Sequence, residues 1–309
     1  MRVRYLLPLA ALAAACSREP AQQPVAASAS IADPHTGHLM TEMSGAATAD
    51  PMPTAQGTPG IPAGAADAAA RLGASTRHAE WVKIAWEKGS ADSLMAWVVF
   101  PESKKKASVV VVIHEIFGLS TWVRGVADQL AADGFIAVAP DLLSRVRGDP
   151  SSDELKSDSA RKLIQGVNVA EMNKGVFAAA NYGMSLPAAK NSYGVVGYCW
   201  GGSATFNHAV FNGKHFDGGV VYYGTSAAKD SMPKIKAPVL GLYGGNDARV
   251  NATIGWADTT MRTLKKSYTY KIFDGAGHGF LRAQDQSANL EAAKQAWPMT
   301  IAFFKKNLK

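Results

Sequence analysis

At 309 residues and 47% apolar content, the chain can bury one large core, a size at which α/β folds usually form a single domain. Its net charge of +7 comes with no basic stripe interleaved with aromatic residues. Lys104, Lys105 and Lys106 fall between two strand-like runs, and Lys305 and Lys306 lie near the chain end. Both groups read as solvated surface, so nucleic acid is excluded as an expected partner.

Residues 1–15 read as a secretory signal: Arg2 and Arg4 precede an apolar run over 5–15 that is too short to span a membrane. Leu12-Ala13-Ala14-Ala15 before Cys16 is similar to a bacterial lipobox, departing from it at Ala13, where leucine is more usual. Lipidation of Cys16 would anchor the protein in the periplasm, and Ser17 in place of Asp favours the outer membrane. Ordinary cleavage near Ala15 would instead release it to the periplasm. Residues 16–75 are rich in Ala, Pro, Gly, Ser and Thr and read as a flexible tether that cannot recover its ordering entropy by burial. Within it, His35, His38, Met40 and Met43 are soft ligand types that would suit weak copper binding, but the group reads as linker. No metal or cofactor is expected.

From residue 76 onward, strand-like runs occupy 81–86, 94–100, 109–113, 135–139, 194–198, 219–223, 239–243 and 268–273. Most of those after 109 are continuously apolar, as in a sheet covered on both faces. Trp122, Val126 and Leu130 form a helical stripe, with Ser120 placed to cap its start and Gly134 to end it. Leu290, Ala293, Trp297, Ile301 and Phe304 form another, in which Pro298 is expected to kink the helix or begin a new one. Alternating strands and helices predict an α/β fold: a doubly wound, mostly parallel eight-stranded sheet over 76–309.

The chemistry begins at Gly197-Tyr198-Cys199-Trp200-Gly201-Gly202, a Gly-x-nucleophile-x-Gly pattern with cysteine where serine is more usual. The flanking glycines let a strand and helix approach closely enough to hold the nucleophile in a strained turn. Asp247 follows the next strand-like run but one, and His278 follows the run after that. Nucleophile, acid, histidine is the chain order of an α/β-hydrolase triad, so Cys199, His278 and Asp247 are the expected catalytic residues. With Cys16 assigned to lipid, Cys199 has no intramolecular disulfide partner. Trp122, Trp200, Phe117, Phe280 and Tyr223 are candidates to line an apolar pocket, although aromatic residues near strand ends are more often core.

The segments 109–119 (VVVVIHEIFGL), 136–142 (IAVAPDL), 194–202 (GVVGYCWGG), 240–247 (LGLYGGND) and 275–282 (GAGHGFLR) resemble the dienelactone hydrolase family, α/β-hydrolases with a cysteine nucleophile. The resemblance implies further roles. Glu115 matches an acidic residue that meets the thiol at rest. The N–H groups of Ile116 and Trp200 match the oxyanion hole. Arg282 matches an arginine that binds the substrate carboxylate. A second such arginine lies upstream of the nucleophile, with Arg161 the candidate and Arg145 and Arg147 as alternatives. The implied activity is hydrolysis of a small, anionic carboxylic ester or enol lactone through a thioester acyl-enzyme. Separately, the chain is expected to be a monomer that meets membrane only through a lipid anchor at Cys16. A broader acyl-esterase is a second expectation. The alternative from another class is a non-catalytic or metal-handling envelope lipoprotein that keeps the fold as scaffold.

Overall fold

The computed structural model describes residues 57–148, 155 and 157–309. Residues 1–15, read above as a secretory signal, Cys16 and the His35, His38, Met40, Met43 group lie outside the described residues. Eight strands form one sheet: β1 (Ala79–Ala85), β2 (Ser93–Val99), β3 (Ala107–Ile113), β4 (Ile136–Asp141), β5 (Ala189–Tyr198), β6 (Phe216–Tyr222), β7 (Val239–Gly244) and β8 (Tyr268–Phe273). Their spatial order is β1-β2-β4-β3-β5-β6-β7-β8. β2 pairs antiparallel with β1 and β4, and every other pairing is parallel. The helices are α1 (Ala68–Gly73), α2 (Thr121–Ala132), α3 (Ser144–Arg147), α4 (Ser157–Gln165), α5 (Val169–Ser185), α6 (Trp200–Phe211), α7 (Ala248–Asn251), α8 (Ile254–Thr263) and α9 (Ser287–Asn307).

The apolar runs become central strands because both their faces are covered. Every residue of β3 and β4 is buried. Side chains alternate across a strand, so Val109, Val111 and Ile113 join one core layer with Met172 and Val176 of α5 and Phe206 of α6. Val110 and Val112 join the other, with Trp122 and Val126 of α2 and Trp297 and Phe304 of α9. Full burial of each such valine is worth about 1.5–3 kcal/mol relative to exposure. Of the candidate pocket aromatics, Trp122, Tyr223 and Phe280 are core residues.

Three expectations change in detail. Ser120 occupies the N-cap of α2 but makes no side-chain capping bond, whereas Gly134 does take the positive φ (99°) that turns the chain out of the helix. Pro298 does not begin a new helix: α9 runs through it. The burial of Trp297, Thr300, Ile301 and Phe304 around it compensates for the backbone hydrogen bond that proline cannot donate.

The third change is larger. Residues 57–75, assigned above to the flexible tether, pack on the domain. Ile61, Ala63 and Ala68 are buried, and α1 lies against α2. Arg71 donates to Thr58 O (2.9 Å) and Gln129 Oε1 (2.6 Å), and Ser75 Oγ to Asp128 Oδ1 (2.5 Å). The cause is that small residues bury well when polar anchors order the backbone, although their composition is that of a linker.

Candidate active site

The loops at the carboxyl ends of five strands converge: Glu115 after β3, Cys199 after β5, Tyr223 after β6, Asp247 after β7 and His278 after β8. This is where a doubly wound sheet binds its ligands. Cys199 sits between β5 and α6 with φ 55° and ψ −114°, a backbone conformation L-residues rarely adopt. The glycines around it make that turn possible. A Cβ at Gly197 would collide with Gly201, one at Gly201 with the carbonyls of Ile113 and His114, and one at Gly202 with Tyr222 O. The turn is pinned by Cys199 N donating to Tyr222 O (3.1 Å) and Ser203 N to Cys199 O (3.2 Å). Trp200 is the first residue of α6, so its N–H has no intrahelical acceptor and is available to an anion.

His278 Nδ1 lies 2.5 Å from Asp247 Oδ2. Asp247 is buried, caps α7 and accepts from Val250 N (3.4 Å). Burial works against a charged His278 ring, but hydrogen-bonding and charge interactions with Asp247 and Cys199 outweigh it and raise its pKa to about 10. With Nδ1 facing Asp247, Nε2 is the atom left for Cys199. The His278 ring also packs against Tyr223, with ring centres 5.2 Å apart. Tyr223 is itself at positive φ (38°), and the buried hydroxyls of Tyr198 and Tyr223 have no hydrogen-bond partner among the described residues.

Glu115 is buried, and burial raises its pKa against the opposing pull of Arg282 and His278. Its ion-pair partner is Arg282, with Nε 3.4 Å from Oε2. Arg282 lies over the Phe117 ring at 5.2 Å. Its terminal guanidinium nitrogens have no protein hydrogen bond among the described residues, and the side chain is 41% exposed. It is therefore oriented but still able to receive an anion.

The upstream arginines separate. Arg145 pairs with Asp92 and Glu171 (2.6 and 2.8 Å) and lies over Trp86 at 4.5 Å, so its charge is already used. Arg147 lies in the same short helix, and Arg161 is exposed on α4. A cavity of about 690 Å³ is lined by Trp86, Lys174, Phe177 and neighbours and includes none of the expected site residues. One of about 430 Å³ includes Arg282, Gln284 and Gly64.

Two positioning residues were missed in the sequence. His114, fully buried, donates from Nδ1 to Glu115 O (2.6 Å) and accepts Leu142 N at Nε2 (3.1 Å), while stacking on Trp200. Burial lowers its pKa, which keeps that tautomer neutral. Its only sequence signal is a histidine closing an apolar strand. Asn289 of α9 accepts Gly277 N (2.9 Å) and donates to Ala283 O (2.8 Å), bracing the His278 loop from both sides. No local pattern announces it.

A cysteine on a strained strand–helix turn, with an acid–histidine pair at the ends of the last two strands of a mostly parallel sheet, is the arrangement of an α/β-hydrolase. The chain belongs to the dienelactone hydrolase family, whose model matches residues 94–308, and it is a hydrolase. It is 30% identical to a provisionally named carboxymethylenebutenolidase of Saccharolobus solfataricus, covering 69% of this chain and 94% of that one. A similarly named protein of Methylorubrum extorquens is also 30% identical, covering 72% of this chain and 79% of its own. The fold is shared with a provisionally named dienelactone hydrolase of Klebsiella pneumoniae: TM-score 0.65, 24% identity, 74% of this chain and 99% of that one. It is shared more distantly with an acylaminoacyl peptidase of Pyrococcus horikoshii: TM-score 0.58, 16% identity, 77% of this chain and 43% of that one.

Proposed function

We propose that the protein hydrolyses small carboxylic esters or enol lactones, preferring anionic ones, with Cys199 as nucleophile and His278 and Asp247 as its partners. The observation that carries this reading is the strained turn at Cys199 facing a histidine locked on a buried carboxylate. With its pKa raised to about 10 by Asp247 and Cys199 against the cost of burial, the His278 imidazole holds its proton at neutral pH.

Thiolate attack on the carbonyl carbon forms a C–S bond and moves the carbonyl π-electrons onto oxygen. The N–H groups of Ile116 and Trp200 hold that oxyanion. Collapse breaks the C–O bond, and His278 Nε2–H protonates the departing oxygen, leaving a thioester. The now neutral His278 takes a proton from water as it attacks the thioester. Collapse then expels the thiolate and releases the acid. Sulfur as nucleophile favours some substrates over others: thiolate leaves more easily than an unprotonated amide nitrogen, so an amide adduct tends to revert, whereas a stabilised enolate or activated alkoxide departs. The relatives' name denotes a carboxylated unsaturated lactone, chemistry that Arg282 suits.

Brief reaction with a p-nitrophenyl ester, acid quench and intact-mass measurement should show one acyl group on Cys199. Cys199→Ala should lose both adduct and turnover with an unchanged melting temperature, and Cys199→Ser should keep only a small residue. Wild-type turnover in the alanine variant would overturn the reading.

A further inference from the structure

We propose that residues 57–67 form a positioning element for Arg282, fixing where its guanidinium stands and so setting the preference for anionic substrates; this rests on the reading of Arg282 above. The segment lies wholly outside the family match at 94–308, yet it meets the chain at the turn that carries Arg282. Ala65 N donates to Arg282 O at 2.8 Å. Gln284 Nε2 donates to Pro62 O (2.9 Å) and to Leu281 O (2.7 Å), so one amide group links the segment to the turn on the other side of Arg282. Gly64 lies between these bonds, where a Cβ would stand 3.1 Å from Gln284 Cβ and 3.2 Å from Arg282 O. The approach is close enough to favour glycine there.

The segment has an anchor of its own. Ile61 and Ala63 are buried, Arg71 links Thr58 to Gln129 of α2, and α1 lies on α2. It therefore bridges a rigid helix to the Arg282 turn. Besides this bridge, the turn is held by Gly279 (φ 77°), whose carbonyl accepts both Arg282 N (2.8 Å) and Ala283 N (3.0 Å), and from α9 by Asn289 Nδ2 donating to Ala283 O (2.8 Å), on the far side of Arg282 from the Leu281 contact. On the side-chain end, the 3.4 Å contact to Glu115 is longer than a good hydrogen bond and does not fix the guanidinium by itself. His278 depends on this bridge less, because Asp247 and Asn289 hold its loop. Disturbing the bridge should thus displace the carboxylate contact and spare the chemical step.

The test uses the full chain and compares kcat/KM for a carboxylated lactone with that for a neutral p-nitrophenyl ester. Ala65→Pro deletes one donor, and Gln284→Ala deletes the amide link. Each is expected to lower the anionic-to-neutral ratio roughly tenfold, through KM rather than kcat. In an Arg282→Ala background neither should lower the ratio further. If Arg282→Ala lowers the ratio but Gln284→Ala leaves it within twofold of wild type, the bridge has no such role and the reading of Arg282 stands. If Arg282→Ala itself leaves the ratio intact, that reading fails and takes this one with it. Equal losses on both substrates would mean support of the fold alone and would also overturn the proposal. Should Ala65→Pro not fold, Gln284→Ala decides the question.

Discussion

Two histidines, at opposite ends of the sheet's neighbourhood, have both ring nitrogens directed at protein partners, with opposite results. His278 shares a 2.5 Å contact with the Asp247 carboxylate and faces Cys199, and its pKa rises to about 10. His208, near the end of α6, is fully buried with Nδ1 on Asn173 Oδ1 (2.8 Å) and Nε2 on Tyr193 OH (3.0 Å), between the rings of Phe177 and Phe216. Burial pushes its pKa down to about 3. Geometry alone would not separate them, since both rings are oriented by good hydrogen bonds. The charge of the partner does: a carboxylate makes a histidine that carries and releases protons, whereas an amide and a phenol make one that only ties α5, α6 and β5 together.

The comparison can be broken from the charged side first. Asp247→Asn keeps the shape and removes the charge, leaving His278 with an amide partner of the kind His208 has. We expect kcat/KM on a p-nitrophenyl ester to fall by roughly two to four orders of magnitude. The same variant should change the alkaline stability profile. A raised folded pKa contributes stability that is complete below the unfolded value of 6.5 and is lost as pH rises through about 10. Melting temperatures from pH 6 to 10.5 should show that loss in wild type and much less of it in Asp247→Asn. Identical profiles would mean Asp247 does not hold the proton on His278.

A smaller effect is expected where a charge acts on substrate rather than on a neighbouring ring. If Arg282 contacts a carboxylate in a partly closed site, the bond is worth about 1.5–3 kcal/mol. Arg282→Ala should then reduce kcat/KM for a carboxylated lactone by roughly one to two orders of magnitude, with a neutral ester affected far less. Equal losses on both would assign Arg282 to support of the His278 loop.

The smallest effect comes from the neutral side. Because the folded pKa of His208 is depressed, the unfolded chain binds its proton first. Its contribution is present above pH 6.5 and lost as pH falls toward about 3. Asn173→Asp gives the ring a charged partner and should flatten that acid limb, at a cost of about 1–3 kcal/mol at neutral pH for burying a carboxylate. Denaturant titrations at pH 4, 5.5 and 7 report both changes. An acid limb as steep as in wild type would show that another group sets it.

Most of the sheet and the acid–histidine pair were legible because their signals are local. A continuous valine run announces a doubly covered strand, and a glycine-flanked cysteine announces a turn that few other sequences can make. The misses share a different cause. Ile61, Ala63 and Ala68 lie in a stretch whose composition describes a linker, and only contact with α2 and the Arg282 turn reveals its order. Asn289 is an unremarkable polar residue on a helix until the fold brings Gly277 to it from twelve residues away. Arg145, an alternative for substrate contact, is matched to Asp92 from 53 residues away and to Glu171 from 26. Spacing along the chain could not reveal those partners.

The turn at residue 199 also limits which side chains could replace cysteine during descent. At φ 55° the backbone already disfavours any side chain, and a branched Cβ there crowds its own carbonyl. Serine differs from cysteine by one unbranched atom and fits the same space; threonine, the other aliphatic hydroxyl, does not. Exchange between thiol and primary alcohol is thus a single backbone-neutral step, while the secondary alcohol would require rebuilding the turn and the glycines packed around it.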